Sequence, residues 1–511
     1  MLFIEGVVCL EKKIFNLLDS RDQVLIRILR IISKENRWYS LLEISQEVGL
    51  SDRSIQRYIN NLSLIILDYN KSNSEDFSLL FKKHRGVKII ISKQANINFL
   101  ISHIFKRNET IILFIDLLFN RYESNHEYMI KKNVSQYFIN HAFDDIQSLL
   151  SGLNLNIDKK KFNIIGEEIS IRECIYEACK IIFYGDIWPE CFFLLNEDSI
   201  RLDIEYIIDN LRLNMTNLAK INDLSTRLSI LIIRYRKKYP IKIASQFKKY
   251  VPRHKYLSNV PNLYDIIEQV LYRHKIFDSN ETYFFILILL TNDILYRSES
   301  IKKYLFEYHR KIETDILKAT DTFFKIFQND VSEIPQISLE DSYEFIFRSH
   351  LSAAIYPQYY KDHNFYNFED VYSEYFTYVV VVKNIIDKMK IELQFNFFSK
   401  ERYLIDRYIM LIFSLGLNSN FKKSVKIKID TNFSDIYVNY IQKYIMNYFS
   451  YKYNIIFIDD SSYQKYDLLL SNYPKFGDDY DLNIEYPFDE REIENIKSAL
   501  EKLDNNQFSI N

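Results

Sequence analysis

The 511-residue chain predicts a mainly α-helical, multidomain protein with a winged helix-turn-helix near its N-terminus and a small α/β domain at its C-terminus. Three observations carry that reading. Gly and Pro amount to 8 residues each, too few for turn-dense all-β or collagen-like chains. Apolar residues recur in helical runs across residues 190–420, among them Leu224–Ile233, Tyr283–Leu290, Tyr343–Ile355, Tyr375–Met389 and Tyr403–Leu417. Beyond Ser424 the pattern changes to strands alternating with a helix. At roughly 100–200 residues per domain, the length allows about three to five domains.

Hydrophobic residues make up 48% of the chain and charged residues 26%, the composition of a folded protein. The net charge is −2, from 66 basic and 68 acidic residues, so any nucleic-acid surface has to be a local patch. Cys9, Cys174, Cys179 and Cys191 form no CxxC pair, and the last 320 residues hold no cysteine. A disulfide framework or a structural zinc is therefore not expected, and a reducing cytosol is. No secretory h-region is visible, and the most apolar stretches, Phe284–Leu290 and Tyr378–Val382, fall short of the roughly 18–20 residues that span a bilayer. The expectation is a cytoplasmic protein with no membrane contact, no cofactor, no metal and no catalytic residues.

The N-terminal elements follow in order. Leu25, Ile26, Ile28, Leu29, Ile31 and Ile32 recur at helical spacing, and Leu41, Leu42, Ile44 and Val48 mark a second amphipathic helix. Gly49-Leu50 breaks it, Ser51 suits an N-cap, and Asp52 in the first turn favours the positive helix end. Ile55, Ile59 and Leu62 form the buried stripe of a third helix. Leu79–Phe81 and Val87–Ile91 read as strands around a turn closed by Gly86. Helix, helix, tight turn, helix and hairpin make a winged helix-turn-helix over residues 1–95. The polar face of the third helix carries Arg53, Ser54, Gln56, Arg57 and Asn60. Arg pairs bidentately with guanine, and Gln or Asn with adenine, in the major groove. Lys82, Lys83, Arg85 and Lys88 in the hairpin suit phosphate contacts. Residues 1–95 hold 15 Lys/Arg against 11 Asp/Glu, a positive surplus inside a slightly negative chain.

A weaker echo covers residues 96–187. Ile111–Phe119 is helical, and Tyr128–Lys132 leads through Asn133-Val134 into a helix from Ser135 to about Leu150. Leu153–Ile157 and Lys161–Ile165 then flank the basic turn Lys159–Lys161, and Gly166 precedes the helix Glu168–Tyr184. A second winged helix-turn-helix and a helical linker with a small hairpin both fit these residues. At the other end Val425–Asp430, Asn454–Ile458 and Tyr466–Ser471 read as strands around the helix Asp435–Phe449. Residues 473–505 are acidic, with four Lys/Arg against ten Asp/Glu.

The stretches Glu35–Leu62, His84–Ile91 and Leu155–Glu173 carry a resemblance to the Mga/AtxA-like family of virulence regulators that contain phosphotransferase-regulation domains. The order of elements is similar along nearly the whole chain. The resemblance implies a division into a winged helix-turn-helix domain (1–95), a second, Mga-like helix-turn-helix domain (96–187), two helical-bundle regulation domains (188–306 and 307–422) and an enzyme IIB-like α/β domain (423–511). It implies a DNA-binding transcriptional regulator, an activator of virulence or surface-protein genes, with double-stranded promoter DNA as partner. It also implies histidines phosphorylated by phosphocarrier proteins of the sugar phosphotransferase system. His350-Leu351-Ser352-Ala353-Ala354-Ile355 fits that histidine pattern, whereas the matching place in the first bundle reads Asn222. His254, His274 and His363 read as surface residues, and His84 and His141 as phosphate-contact candidates.

An enzyme IIB of the cysteine class needs a thiolate just after its first strand, and this loop reads Thr431-Asn432-Phe433-Ser434. The C-terminal domain is therefore expected to dimerise the protein, with Tyr440, Tyr444, Tyr448, Phe449, Tyr451 and Tyr453 as interface aromatics. Asp459-Asp460 and Asp478-Asp479 read as solvated surface, and Cys174 and Cys179 as small core residues. A regulator of a carbohydrate operon, a phosphotransferase-system enzyme component and a scaffold without DNA binding stand as the alternatives.

Overall fold

The computed structural model describes residues 10–73, 76–213, 216–253, 261–331, 336–356, 376–417, 423–450, 453–458, 465–473 and 481–507. Cys9, His254, His363, Tyr451, Asp459, Asp460, Asp478 and Asp479 lie outside the described residues. The chain divides into two compact units, one of Met1–Thr322, Tyr343–Phe365 and Met389–Leu404, the other of Phe323–Ser342, Tyr366–Lys388 and Ile405–Asn511.

The larger unit opens with α1 (Leu10–Asn16), α2 (Ser20–Ile32), α3 (Leu41–Val48) and α4 (Asp52–Ser72), followed by the antiparallel hairpin β1 (Phe77–Lys82) and β2 (Gly86–Ile91). Each start and stop has a local cause. Ser40 caps α3 by accepting the Glu43 N–H, and Ser51 caps α4 by accepting that of Ser54. Gly49 ends α3 in the left-handed region at φ 77°, and the N–H groups of Gly49 and Leu50 both return to the Ser45 carbonyl. Ile55, Ile59 and Leu62 are buried as the spacing predicts, each contributing about 1.5–3 kcal/mol of transfer free energy. The helix runs on to Ser72, well past Leu62, because Ile66 and Tyr69 extend the buried stripe. Tyr39 bridges Val87 through two backbone hydrogen bonds of 2.8 Å and adds a short third strand to the wing. Gly86, at φ 88°, permits this approach, since a Cβ there would lie 2.0 Å from the Tyr39 carbonyl oxygen.

The same pattern recurs. α5 (Ile97–Arg107) and α6 (Glu109–Leu118) lead into α7 (Asn125–Lys132), α8 (Gln136–Ser151), the hairpin β3 (Asn156–Asp158) and β4 (Asn163–Ile165), and α9 (Glu168–Ile182). Of the two readings of this stretch, the structure has the helix-turn-helix and hairpin. α1, in a stretch with little sequence pattern, packs against α8 and α9, while α5 packs against α2, α4 and α9. One hydrophobic core runs from Ile14 through both repeats to Ile233. The sequence boundary near residue 95 thus falls inside a shared core.

A helical region follows: α10 (Glu197–Asn210), α11 (Leu218–Arg236), α12 (Ser245–Lys248), α13 (Leu263–Arg273), α14 (Ser279–Thr291) and α15 (Glu299–Lys311). α14 is buried on every side from Glu281 to Thr291, which explains why its sequence is apolar without a polar face. Then come α16 (Asp315–Asp330), α17 (Gln336–Ile355), α18 (Phe376–Leu393) and α19 (Glu401–Ser414). The division between the compact units passes through all four.

The smaller unit ends in a parallel sheet of β5 (Lys423–Asp430), β6 (Tyr453–Ile458), β7 (Leu468–Ser471) and β8 (Asp481–Asn483), in the order β6-β5-β7-β8. α20 (Asp435–Phe449) and α21 (Glu490–Gln507) accompany it. Val425, Ile427, Ile441, Ile445, Leu468, Leu470, Ile496 and Leu500 fill its core. α21 lies in the tail that reads as acidic; Ile493, Ile496, Ala499 and Leu500 give it a buried face. The molecule is therefore mainly helical, with a small parallel sheet at its C-terminus. Among the described residues no helix is long and apolar enough to cross a membrane.

Candidate nucleic-acid interface

The first repeat presents a coherent polar surface. Arg53, Gln56, Arg57 and Asn60 are exposed on α4, and Ser54 is half-buried with its hydroxyl 3.1 Å from that of Ser51. These side chains lie opposite Ile55, Ile59 and Leu62, whose burial fixes the helix rotation. In the wing, Lys82, Lys83, His84 and Arg85 are exposed at the turn, and the Lys82 ammonium lies 5.6 Å from the centre of the Trp38 ring. Lys88 differs from the other wing cations: it is half-buried, and its Nζ donates to the Asn36 carbonyl at 3.3 Å. The loop entering α3 is pinned by Arg37, which pairs with Glu35 and Glu43 and lies 3.8 Å over the Tyr39 ring.

The second repeat matches the first, position for position, at a constant shift of 84 residues in sequence. Ser124 caps α7 by accepting the Glu127 N–H, as Ser40 caps α3 through Glu43. Asn133 takes the left-handed position of Gly49, at φ 54°, and the Val134 N–H returns to the Met129 carbonyl as that of Leu50 returns to Ser45. Ser135 caps α8 as Ser51 caps α4. Ile139, Phe143, Ile146 and Leu150 are buried in the places of Ile55, Ile59, Leu62 and Ile66. The repeat is faint in the sequence because the identities kept are few and are caps and apolar residues; its trace is the shared Ser–x–x–Glu and x–x–Ser spacing around each turn.

The exposed face of α8 then follows by position: Tyr137, Asn140, His141 and Asp144 stand where α4 has Arg53, Gln56, Arg57 and Asn60. His141 packs edge-on against Tyr137 at 4.2 Å, and Asp144 takes Lys159 of the adjoining hairpin at 3.0 Å. Lys160 and Lys161 are exposed at the hairpin turn, their N–H groups donating to Asp158 Oδ1.

The histidines divide differently from their sequence contexts. His350 is fully buried on α17, its Nδ1 3.0 Å from the Thr320 hydroxyl and its ring near Phe397 and Phe398. Burial pushes its pKa down to about 3, so the ring is neutral. His309, which carries no sequence signal, is equally buried, bonded to Thr314 at 3.0 Å and pushed down to about 3. His274 is no surface residue, since its Nε2 lies 2.6 Å from the buried Asp203 carboxylate. Asn222 is half-buried; the buried residue followed by Leu-Ser, as His350 is, is Arg227, which donates to Glu173 at 2.9 Å. Cys174, Cys179 and Cys191 are buried, the last two with sulfurs 3.8 Å apart. Among the described residues no three His, Cys, Asp or Glu side chains are grouped to hold a metal ion.

Two winged helix-turn-helix units in tandem, on one core, are an architecture that can present a helix and a wing to duplex DNA. Residues 93–178 match the sequence model of the Mga helix-turn-helix domain. Over 180 residues the chain is 27% identical to the anthrax toxin expression trans-acting positive regulator of Bacillus anthracis, covering 34% of this chain and 35% of that protein. Two capsule synthesis positive regulators of the same organism are also similar. AcpA is 22% identical over 37% of each chain, and AcpB is 24% identical over 43% of this chain and 44% of its own length. Over these stretches the chain is similar to regulators of the Mga/AtxA-like family. The matched stretches span about a third to under half of these relatives' lengths.

Proposed function

We propose that this chain is a transcriptional activator that reads double-stranded promoter DNA with its two winged helices and controls virulence or surface-protein genes. The observation that carries the reading is the exposed set Arg53, Gln56, Arg57 and Asn60 on a capped helix beside a basic wing turn of Lys82, Lys83 and Arg85. Arg, Gln and Asn offer the paired donors and acceptors that base edges in the major groove accept, and the wing supplies cations for phosphate. The second face, with Tyr137, Asn140 and His141 beside Lys160 and Lys161, reads an adjacent stretch of the same duplex. The names of the relatives, positive regulators of toxin expression and capsule synthesis, support activation and the class of target genes. Residues 188–422 serve in this reading as the two helical regulation domains. The test is genome-wide mapping of sites bound by the full chain, followed by gel shifts on those fragments. Sites upstream of surface or toxin genes are expected, and binding without sequence preference overturns the proposal.

We further propose a homodimer through the C-terminal α/β domain. Ile436, Tyr440, Met446 and Tyr448 are exposed on α20, and the rings of Tyr437, Tyr440, Tyr444 and Tyr448 follow one another along it with centres 5.2–5.7 Å apart. Phe449 and Tyr453 belong to the domain's own core and drop out of the interface. Tyr440→Glu/Tyr448→Glu is expected to give a monomer in sedimentation at micromolar concentration; an unchanged dimer removes this interface. Phosphorylation of His350 by a phosphocarrier of the sugar phosphotransferase system requires an opened form, because the ring is sealed from solvent.

A further inference from the structure

The two wings are held in different ways. The first has six-residue strands and the added Tyr39 bridge, so its own backbone ladder fixes it. The second has three residue pairs only. A two-stranded hairpin of that length does not hold its pose unaided in water, so whatever grips its base decides where its lysines stand.

Gln147 of α8 holds the β3 side of that base, donating to the Leu155 carbonyl at 3.3 Å and accepting the Ile157 N–H at 2.8 Å, and Asn120, in the turn after α6, grips the β4 side. Its side-chain amide donates to Asn163 Oδ1 at 2.7 Å and to the Phe162 carbonyl at 3.4 Å. Its own Oδ1 accepts from Arg234 Nη1 at 2.7 Å, and its backbone carbonyl accepts from Lys237 Nζ at 3.0 Å. Arg234 and Lys237 come from α11 and the residue that follows it, in the helical region and not in the helix-turn-helix. Arg234 is fixed in turn: two bonds of 2.9 and 2.7 Å tie it to Glu168, and it lies 4.2 Å over the Tyr239 ring. Glu168 also takes Arg172 at 2.9 Å, and Arg172 is forked onto the buried Glu281 of α14 at 2.6 and 2.9 Å. A chain of buried and part-buried polar contacts thus runs from the base of the second wing into the helical region. Buried ion pairs add little stability over apolar residues of equal volume, but they are demanding in geometry.

We propose that Asn120, held by Arg234, is a positioning residue that sets the pose of the second wing, so that Lys160 and Lys161 meet phosphate only while α11 keeps its place. This rests on the reading that the second unit contacts DNA. The test uses the full chain on a mapped promoter fragment, with affinity measured across a salt series. Lys160→Ala/Lys161→Ala is expected to flatten the slope of log K against log salt by about 2, since each lost phosphate contact removes about 0.9. Asn120→Gly, compatible with the positive φ of 49° at this position, is expected to flatten it by a similar amount with its circular dichroism retained. The triple variant is expected to bind like the lysine pair alone, within about twofold. Hydrogen exchange should quicken in Asn120→Gly over residues 156–165 and not in α8. Additive losses in the triple variant, or a wild-type slope in Asn120→Gly, overturn the positioning role. A lysine pair without effect, where Arg53→Ala/Arg57→Ala does weaken binding, sinks the reading of the second wing and the positioning with it. Should Asn120→Gly not fold, Arg234→Gln carries the same comparison.

Discussion

The two helix-turn-helix units share a frame and differ in what they show to solvent. Position for position they keep the Ser cap before each first helix, the left-handed residue that ends it, the Ser cap of the second helix and its four buried residues. At the exposed positions Arg53, Gln56, Arg57 and Asn60 give way to Tyr137, Asn140, His141 and Asp144. Where α4 offers two guanidinium groups, α8 offers none, and it adds a carboxylate that engages a wing lysine. Residues that satisfy backbone groups or fill the core are constrained by the chain itself, whereas exposed residues answer to a partner. In the proposed reading the first unit carries the charge for base reading, and the second makes a supporting contact.

The largest test of that asymmetry is a pair of double variants. Arg53→Ala/Arg57→Ala removes two contacts worth about 1–3 kcal/mol each and is expected to weaken promoter binding at fixed salt by roughly 100-fold or more. Asn140→Ala/His141→Ala should cost less than about tenfold. Equal losses in fluorescence anisotropy would break the asymmetry.

A second test sets the helical region against the tandem. His309 and His350 are buried neutral, so the unfolded chain binds their protons first, and their folded values lie near 3. Their contribution is complete above pH about 6.5 and is lost as pH falls towards 3, amounting to about 2 kcal/mol for each ring at pH 5. His103, in α5, is shifted down in the same direction by burial, but it is only half-buried and is bonded to Asp68 at 3.2 Å. Urea midpoints at pH 7.5 and 5.0 should therefore fall less in His309→Gln/His350→Gln than in wild type. An unchanged pH sensitivity would return the acid response to the tandem.

Smaller effects sharpen the frame itself. A Cβ at Gly49 meets nothing within 4 Å, so the cost of Gly49→Ala is the left-handed backbone alone, about 1 kcal/mol in thermal unfolding. Asn133→Gly should be neutral or stabilising by a few tenths of a kcal/mol, because Asn already tolerates that conformation. Lys88→Ala should leave the salt slope of DNA binding nearly unchanged, while Lys82→Ala/Lys83→Ala flattens it by about 2. Lys88 differs because its ammonium already serves the Asn36 carbonyl.

Much of the first unit was legible because its causes are local. A Ser three residues before a free N–H, a Gly at a left-handed turn and an apolar residue every third or fourth place act within one or two helix turns. The second unit obeys the same rules with Asn in place of Gly, which weakened its signal without changing the geometry. α21 was hidden because ten acidic residues in residues 473–505 obscure an apolar stripe as sparse as Ile493, Ile496, Ala499 and Leu500.

By itself, then, the sequence determined α2 to α4 with the Ser51 cap, the two turns and the exposed faces of α4 and its wing, because each is settled by neighbours a few residues away. Only the tertiary structure decided the burial of His350 against Thr320, Phe397 and Phe398, the pairing of His274 with Asp203, and the common core of the two units. The path from Asn120 through Arg234 and Glu168 to Arg172 and Glu281 was decided in the same way. Its members lie up to 161 residues apart, and a charged residue on an apolar helix reads alike whether it faces water or a buried partner. Periodicity says which side of a helix is covered; what covers it is fixed when distant segments pack and each buried charge has to meet its opposite.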